Sequence, residues 1–176
     1  MMEKTGERFI PELSGNAYEI QVNINRYLYA LPFCKDKIII DAGCGCGLGS
    51  YLYSLVAKQV IAVDYNAEAL DCVKTYSDKI ECLQADLNKD LLPEADICVA
   101  LESIEHLSNP DFFLKNLKTK ELIFSIPLNS RTISPQFHKQ DYRSIEDIKT
   151  QINKFYEIKD LFVQEGKWIY GRATKL

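Results

Sequence analysis

The stretch IIIDAGCGCGLGS, residues 38–50, joins an apolar β-branched run, an acidic residue and four alternating glycines. The run at residues 38–40 is typical of a buried strand. The glycines allow a sharp turn and let a ligand approach the main chain closely. A helical pattern follows over residues 48–57, and the first turn of a helix offers unpaired N–H groups. Strand, glycine turn and helix in this order predict a nucleotide-type binding turn, with a tight turn that binds nothing as the alternative.

The length and composition predict a single globular domain that spans residues 1–176. Hydrophobic residues make up 47% and charged residues 26% of the chain, which is ordinary for a soluble protein. The net charge of −4 argues against a large basic face for duplex nucleic acid. Because the six cysteines form no CxxC pair and neither a signal peptide nor a membrane span is evident, we expect a cytoplasmic protein with reduced thiols.

Strand-like and helix-like patterns alternate along residues 37–176, which we interpret as the core, with residues 1–33 as an arm and lid helix. The alternation predicts an α/β fold, a doubly wound Rossmann-like sheet of seven strands with helices on both faces. A hairpin signal at residues 164–166 makes the C-terminal end antiparallel and the rest mostly parallel. The predicted strands are residues 38–40, 59–63, 80–84, 96–101, 121–126, 156–163 and 167–172, and the predicted helices are 16–31, 48–57, 66–77, 110–118 and 144–153.

Carboxylates follow the ends of three predicted strands. Asp64 lies about 20 residues after the glycine turn, where α/β nucleotide sites place an acid for ribose hydroxyls. The alternative for Asp64 is a cap or turn residue before the next helix. Asp86 and Glu102 follow the third and fourth strands. Because ligands bind at the carboxyl ends of parallel strands, we expect the glycine turn and these acids at one edge of the sheet.

The glycine turn resembles the D/E-x-G-x-G-x-G turn of class I S-adenosylmethionine (SAM) methyltransferases. A dinucleotide fingerprint fits less well, because Leu48 and Ser50 stand where its last Gly or Ala belongs. The resemblance implies that the turn holds the methionine end of SAM and that the acid at position 41 holds its amino group. It also implies an adenine contact for the acid after strand three, for which an ordinary loop aspartate is the alternative. The implied cofactor residues are Asp41, Gly43, Cys44, Gly45, Gly47, Asp64, Tyr65, Asp86, Leu87 and Glu102.

Two further segments are similar to a group of bacterial sugar-modifying methyltransferases. Residues 5–12, TGERFIPE, match the TGERF-x-PE opening of that group, and residues 25–27, NRY, follow at the expected distance. Members of the group often have histidine at the first of these three positions, so Asn25 departs from their pattern. The group also has E-x-x-E-H-L after strand four and F-H in a later loop, which correspond to residues 102–107 and 137–138 here.

The segment LESIEHL, residues 101–107, spaces Glu102, Glu105 and His106 at i, i+3 and i+4. One helical turn would bring all three to one side. His138, the second of only two histidines, lies on the loop after strand five and can reach the same edge. Carboxylates and imidazoles together are either metal ligands or an acid–base cluster. The remaining alternative is that Glu102 lines a pocket, His106 caps a helix and His138 is a surface residue.

Transfer of a methyl group from SAM to a hydroxyl requires alignment of the reactants and removal of a proton. A neutral imidazole suits proton removal near pH 7, and a divalent ion would instead lower the pKa of the hydroxyl. We therefore predict His106 or His138 as the base, with Glu102 or Glu105 orienting the imidazole. The metal alternative uses Glu102, Glu105, His106 and His138. It resembles the Mg²⁺ or Mn²⁺ site of small-RNA 3′-end ribose methyltransferases, and ubiquinone-pathway O-methyltransferases have a similar E-x-x-E-H segment.

The function that the sequence predicts is SAM-dependent O-methylation of a small molecule, sugar or glycan. The alternatives are metal-dependent 2′-O-methylation of an RNA 3′-end ribose and a non-catalytic partner protein with the SAM fold. N-methylation stays open, but the Asn/Asp-Pro-Pro-Tyr motif of amino-group methyltransferases is absent after strand four, which argues against DNA adenine methylation. A homodimer partner that completes the lid is a further open alternative.

Overall fold

The computed structural model of the chain describes residues 17–129 and 136–176. The TGERFIPE segment, the N-terminal arm and part of the loop after strand five therefore lie outside the described residues. The chain divides into two compact units, one that ends at Gln84 and one that begins at Ala85. Among the described residues, no helix combines the length and the apolar character that crossing a membrane requires.

The first unit consists of helices that alternate with three parallel strands. Strand β2 pairs with β1 on one side and with β3 on the other, both in parallel. The central residues of β1 and β2 are buried, as expected for strands covered on both faces. The elements are α1 (Ala17–Ala30), a 3₁₀ turn (Leu31–Cys34), β1 (Ile38–Ala42), α2 (Leu48–Ser54), β2 (Gln59–Asp64), α3 (Ala67–Val73) and β3 (Ile80–Gln84).

Helix α1 differs from its sequence-based prediction at its C-terminal end. The predicted helix ended at Leu31, whereas the α-helix ends at Ala30 and continues as the 3₁₀ turn Leu31–Cys34. Pro32 lies in the first positions of that turn, where a main-chain N–H would have no acceptor within the turn, so proline, which lacks an N–H, is tolerated there.

The second unit contains one parallel strand pair followed by an antiparallel hairpin. Strands β4 and β5 are parallel, whereas β7 is antiparallel to both β5 and β6. Glu165 and Gly166 both have positive φ angles, +52° and +66°, at the predicted hairpin turn. The elements are β4 (Ile97–Leu101), a 3₁₀ turn (Ile104–His106), α4 (Pro110–Asn116), β5 (Glu121–Pro127), α5 (Ile145–Ile152), β6 (Tyr156–Gln164) and β7 (Trp168–Lys175).

Local capping signals set the starts of helices α4 and α5. The side chain of Asn109 accepts a hydrogen bond from the Phe112 N–H, and Pro110 follows it at the first helical position. Ser144 and Asp147 form a reciprocal capping box at α5. Both starts agree with the predictions from the sequence.

The seven strands form one sheet in the order β3-β2-β1-β4-β5-β7-β6. Strand β7 is inserted between β5 and β6, so the hairpin supplies the antiparallel end of a mostly parallel sheet. This arrangement confirms the predicted fold class. No helix lies between β3 and β4 in the described residues, as the short spacing between them predicted.

Gly171 allows strand β7 to pack against the buried ring of Phe124 on its neighbour β5, because a Cβ at position 171 would overlap that ring. We expect Gly171→Ala to lower the free energy of unfolding by roughly 1–3 kcal/mol, the usual cost of overpacking a core. Urea denaturation followed by circular dichroism measures the change. Gly166→Asn is the control, because the turn is open there and asparagine tolerates a positive φ, so we expect a change within about 0.5 kcal/mol. Equal losses in the two variants would contradict the packing argument.

Candidate functional site

The glycine turn folds back on the end of strand β2. The N–H groups of Gly43 and Cys44 both donate to the Val63 carbonyl, at 2.8 and 2.9 Å. Gly43, Gly45 and Gly47 have φ angles of +76°, +54° and +83°, which residues with a Cβ rarely adopt. The turn therefore needs glycine at these three positions. The first of them is exposed and the second half-buried, so the main chain of the turn is accessible to a ligand.

The later glycines of the turn are also required by close packing. A Cβ at Gly47 would lie 2.5 Å from a methyl carbon of Val73 on helix α3. A Cβ at Gly49 would lie 3.0 Å from the ring of Tyr27 on helix α1 and 3.3 Å from an oxygen of Asp41. The start of helix α2 thus packs tightly against both neighbouring helices, so Gly47 and Gly49 have a structural role independent of any ligand.

Asp64 bonds to the glycine turn through one carboxylate oxygen and to the start of helix α3 through the other. Its Oδ2 accepts the Gly45 N–H at 3.0 Å, and its Oδ1 accepts the Asn66 N–H at 2.9 Å. Asn66 rather than Asp64 caps helix α3, by accepting the Ala69 N–H. One carboxylate can accept hydrogen bonds from both vicinal hydroxyls of a ribose. The neighbouring Tyr65 is exposed.

Asp41 is a buried carboxylate at the end of strand β1. It accepts a hydrogen bond from the Ser50 hydroxyl at 2.5 Å. Burial raises the pKa of Asp41 from 3.8 to about 6, and the negative charge of Asp64 adds to this effect, while the Ser50 hydrogen bonds oppose it. A positively charged ligand group beside Asp41 would relieve the cost of holding this charge away from water.

Asp86, in the second unit, is held in its loop by Asn88. Its Oδ1 accepts both the main-chain and the side-chain N–H of Asn88, each at 2.9 Å, and these bonds lower the pKa of Asp86. The side-chain oxygen of Asn88 in turn accepts the N–H groups of Ser108 and Asn109, at 2.8 and 3.0 Å. Asn88, which no sequence pattern indicated, therefore links the loop after β3 to the residues before α4. Leu87 lies between these polar residues and is buried.

Glu102 follows strand β4 in a left-handed conformation, with a φ angle of +50°. Its main-chain N–H donates to the Ser125 hydroxyl oxygen at 3.0 Å, and its Oε1 accepts a hydrogen bond from the same hydroxyl at 2.8 Å. The 3₁₀ turn begins only at Ile104. Glu102 is therefore held by strand β5, whereas Glu105 and His106 lie on the turn.

Glu105, His106 and His138 meet in the second unit, with one potential ligand atom from each within 4.8 Å of the others. The side chain of Glu105 is fully buried and that of His106 is 26% exposed. The two imidazole rings meet edge to face, with centroids 4.7 Å apart, and Nε2 of His106 is 4.0 Å from Oε1 of Glu105. Three of the four residues predicted from the sequence as metal ligands or acid–base groups are therefore neighbours, and Glu102 is not in this cluster.

The contact with Phe137 determines which nitrogen of His106 carries a proton. Nδ1 of His106 is 3.2 Å from the Phe137 carbonyl oxygen. Because a carbonyl can only accept a hydrogen bond, Nδ1 must carry the hydrogen. When His106 is neutral, Nε2 therefore has a lone pair that can accept a proton or bind a metal ion.

The segment that carries His138, residues 136–142, is bonded to the 3₁₀ turn mainly through main-chain atoms. The N–H groups of Lys139 and Gln140 both donate to the Glu105 carbonyl, at 2.8 and 2.9 Å. The side-chain amide of Gln140 donates to the Leu107 carbonyl at 2.8 Å. We call this stretch the His138 segment. The attachment of this segment brings His138 beside His106. From the sequence, this proximity could be inferred only from the position of the loop after strand five.

Comparison with known proteins identifies the family. A family model described as a methyltransferase domain matches residues 40–119. Two proteins from Mycobacterium tuberculosis strains, each named a probable S-adenosylmethionine-dependent methyltransferase, are 36% identical over 137 residues. The chain carries a class I SAM-dependent methyltransferase domain. The alignment covers 74% of this chain and 50% of the relatives, so the chain spans about half the length of the curated relatives that it matches.

Solved structures of methyltransferase-fold proteins agree in fold. The PH0226 protein from Pyrococcus horikoshii has a TM-score of 0.76 at 14% identity and covers 99% of this chain and 100% of its own. The N-methyltransferase NodS from Bradyrhizobium japonicum, in complex with S-adenosyl-L-homocysteine, has a TM-score of 0.71 at 16% identity, with coverage of 94% and 91%. SAM is the cofactor of this family. The accessible turn, the buried acid beside it and the carboxylate of Asp64 at the end of β2 fit such a cofactor.

The buried charge of Asp41 predicts a pH dependence of stability. Because the pKa is about 6 in the folded state and 3.8 ordinarily, the folded protein keeps a proton that the unfolded chain loses between these values. The wild type is therefore destabilised as pH rises through this window. We expect the stability of Asp41→Asn relative to wild type to increase between about pH 4 and pH 7, by on the order of 3 kcal/mol. Urea denaturation at both pH values measures this difference.

Asp111→Asn is the control for this experiment. Hydrogen bonds from Gln151 and Lys154 lower the pKa of Asp111, so its charged form stabilises the fold as pH rises. Because this pKa lies below the ordinary 3.8, the contribution of the charged form is gained almost entirely below about pH 4, and the relative stability of Asp111→Asn should stay nearly constant between about pH 4 and pH 7. A pH-independent difference between Asp41→Asn and wild type would contradict the raised pKa of Asp41.

Proposed function

We propose that this methyltransferase transfers the methyl group of SAM to a hydroxyl of a small molecule, sugar or glycan. The observation that supports this proposal most directly is the cluster of Glu105, His106 and His138, in which His106 has an Nε2 lone pair. A hydroxyl must lose a proton when it is methylated, and a neutral imidazole can accept it. The E-x-x-E-H resemblance points to the same class of acceptor.

The cofactor residues are proposed from the geometry of each unit and from the family resemblance. In the first unit, the main chain of Gly43, Cys44, Gly45 and Gly47 would hold the methionine end, Asp41 its amino group and Asp64 the ribose, with Tyr65 beside the ribose. In the second unit, the resemblance assigns Asp86 and Leu87 to the adenine and Glu102 to the cofactor pocket. When bound, SAM supplies an activated methyl group on a sulfonium, which is a good leaving group.

In the proposed mechanism, His106 acts as the general base. Its Nε2 would accept the proton that the acceptor hydroxyl loses when its oxygen takes the methyl group supplied by SAM. The Phe137 carbonyl holds the Nδ1–H, and the carboxylate of Glu105, 4.0 Å away, stabilises the imidazolium that forms. His138, in edge contact with His106, is the second candidate for the base.

A divalent metal ion is the second candidate mechanism, and it rests on the same cluster. Two imidazole nitrogens and one carboxylate oxygen within 4.8 Å form a donor set that suits Mn²⁺ and related ions. Such an ion would lower the pKa of a bound hydroxyl and would favour an acceptor with two vicinal hydroxyls, such as a ribose at an RNA 3′ end. The experiments below distinguish the two mechanisms.

We expect Asp64→Asn to weaken SAM binding by roughly 10–100-fold, because a hydrogen bond to a charged acceptor contributes about 1.5–3 kcal/mol. Isothermal titration calorimetry with SAM measures the dissociation constant. Asp71→Asn is the matched control, since Asp71 is exposed and pairs only with Lys74 among the contacts described, so its loss should leave SAM binding unchanged. Circular dichroism melts show whether the glycine turn, which Asp64 also holds, remains folded. Wild-type affinity in Asp64→Asn would exclude the ribose role.

We expect His106→Ala to lower the rate of methyl transfer by roughly 10²–10⁴-fold with unchanged SAM affinity, because it removes the base and leaves the cofactor residues intact. The assay uses methyl-labelled SAM with a panel of monosaccharides and their glycosides. His138→Ala measures the contribution of the second imidazole. Full activity in both variants would contradict the proposed mechanism.

The same assay with EDTA and with added Mn²⁺ or Mg²⁺ separates the two mechanisms. Activity that is indifferent to EDTA supports the imidazole base. Activity that EDTA abolishes and Mn²⁺ restores, together with a Mn²⁺ binding isotherm lost in both histidine variants, supports the metal. Transfer to an RNA 3′ end or to an amine in place of the sugars would replace the proposed acceptor. SAM binding without transfer to any acceptor would favour the non-catalytic alternative.

A further inference from the structure

We propose that Gln140 is a positioning residue that keeps His106 in the tautomer whose Nε2 can accept a proton. Gln140 is half-buried on the His138 segment, two residues beyond His138 itself. Its consequence for catalysis rests on the proposed function, whereas its effect on the His106 tautomer can be measured without any acceptor.

Gln140 holds the 3₁₀ turn on both sides of His106. Its main-chain N–H donates to the carbonyl of Glu105, the residue before His106, at 2.9 Å. Its side-chain Nε2 donates to the carbonyl of Leu107, the residue after His106, at 2.8 Å. Among the described residues of the segment, Gln140 is the one whose main chain and side chain both donate to the turn. Gln140 therefore fixes the distance and the angle between the His138 segment and the 3₁₀ turn at the position of the His106 imidazole.

This attachment determines where the Phe137 carbonyl lies. The carbonyl of Phe137 is three residues before Gln140 on the same short segment, and it accepts the Nδ1–H of His106 at 3.2 Å. If the segment moves away, Nδ1 loses its acceptor, and the proton of the neutral imidazole can occupy either nitrogen. Each molecule with the proton on Nε2 has lost the lone pair that the reaction uses. Loosening the segment should therefore lower kcat more than it raises KM.

Gln140→Glu tests the side-chain bond with almost no change in size. An ionised carboxylate has no hydrogen to donate to the Leu107 carbonyl, so this bond is replaced by repulsion. Gln151→Glu is the matched control. The Nε2 of Gln151 donates to a carboxylate oxygen of Asp111 at 2.6 Å, so the control also loses a side-chain donor and gains a repulsive contact. Gln151 lies outside the His138 segment. Gln140→Ala removes the donor without adding charge and gives the same readouts if the glutamate prevents folding.

The closing experiment records ¹⁵N–¹H correlation spectra of the imidazoles at about pH 8, where neutral imidazole predominates. The chain has only two histidines, so His138→Ala assigns the signals of His106. We expect a protonated Nδ1 and a bare Nε2 on His106 in the wild type and in Gln151→Glu. We expect shifts averaged between the two tautomers in Gln140→Glu. In the transfer assay, kcat of Gln140→Glu should fall at least about tenfold, with the dissociation constant of SAM within about twofold of wild type.

A wild-type tautomer in both Gln140 variants would overturn the proposal. An equal loss of kcat in Gln151→Glu would also overturn it, because general destabilisation would then explain the effect. If the tautomer is lost in Gln140→Glu but the wild type methylates no acceptor, the positioning role stands and the proposed function fails.

Discussion

The conformation of the glycine turn depends on three hydrogen bonds to the end of strand β2, one of which joins the Gly45 N–H to the Asp64 carboxylate. Two preceding N–H groups, of Gly43 and Cys44, donate to the Val63 carbonyl, so the last two residues of β2 satisfy three donors of the turn. A left-handed turn has few internal hydrogen bonds, and buried N–H groups without partners are costly. Strand β2 therefore stabilises the conformation that leaves the turn open to a ligand.

Two carboxylates in the first unit have a structural role and are also the proposed cofactor contacts. The sequence offered a ribose contact or a turn residue for Asp64. In the structure its carboxylate accepts the N–H groups of Gly45 and Asn66, and the ribose contact is the proposed addition to this role. Asp41 is buried against Ser50, with a charge that costs stability until a cation is beside it. Sites that bind a charged group commonly carry such a local cost, because the charge must be held in place before the ligand arrives.

The sequence predicted those features that depend on neighbours along the chain. The sheet follows from alternating apolar runs, and the start of helix α5 follows from the capping residue Ser144. The helical spacing of residues 102–106 predicts Glu102 beside Glu105 and His106. In the structure, Glu102 instead bonds to the Ser125 hydroxyl on strand β5. The structural roles of Asn88 and Gln140 could not be predicted from the sequence for a related reason. Their partners are main-chain atoms 20 or more residues away, and neutral amides leave no periodic pattern that would indicate such contacts.

The attachment of the His138 segment has a consequence for how this protein can diverge. In the bonds to the Glu105 carbonyl and from His106 to the Phe137 carbonyl, the His138 segment contributes only main-chain N–H and carbonyl groups, which every residue except proline supplies in full. The side chains at the neighbouring positions can therefore be exchanged without detaching the segment. Such exchanges would change the surface beside the two imidazoles, while the main-chain bonds would keep the rings in edge contact.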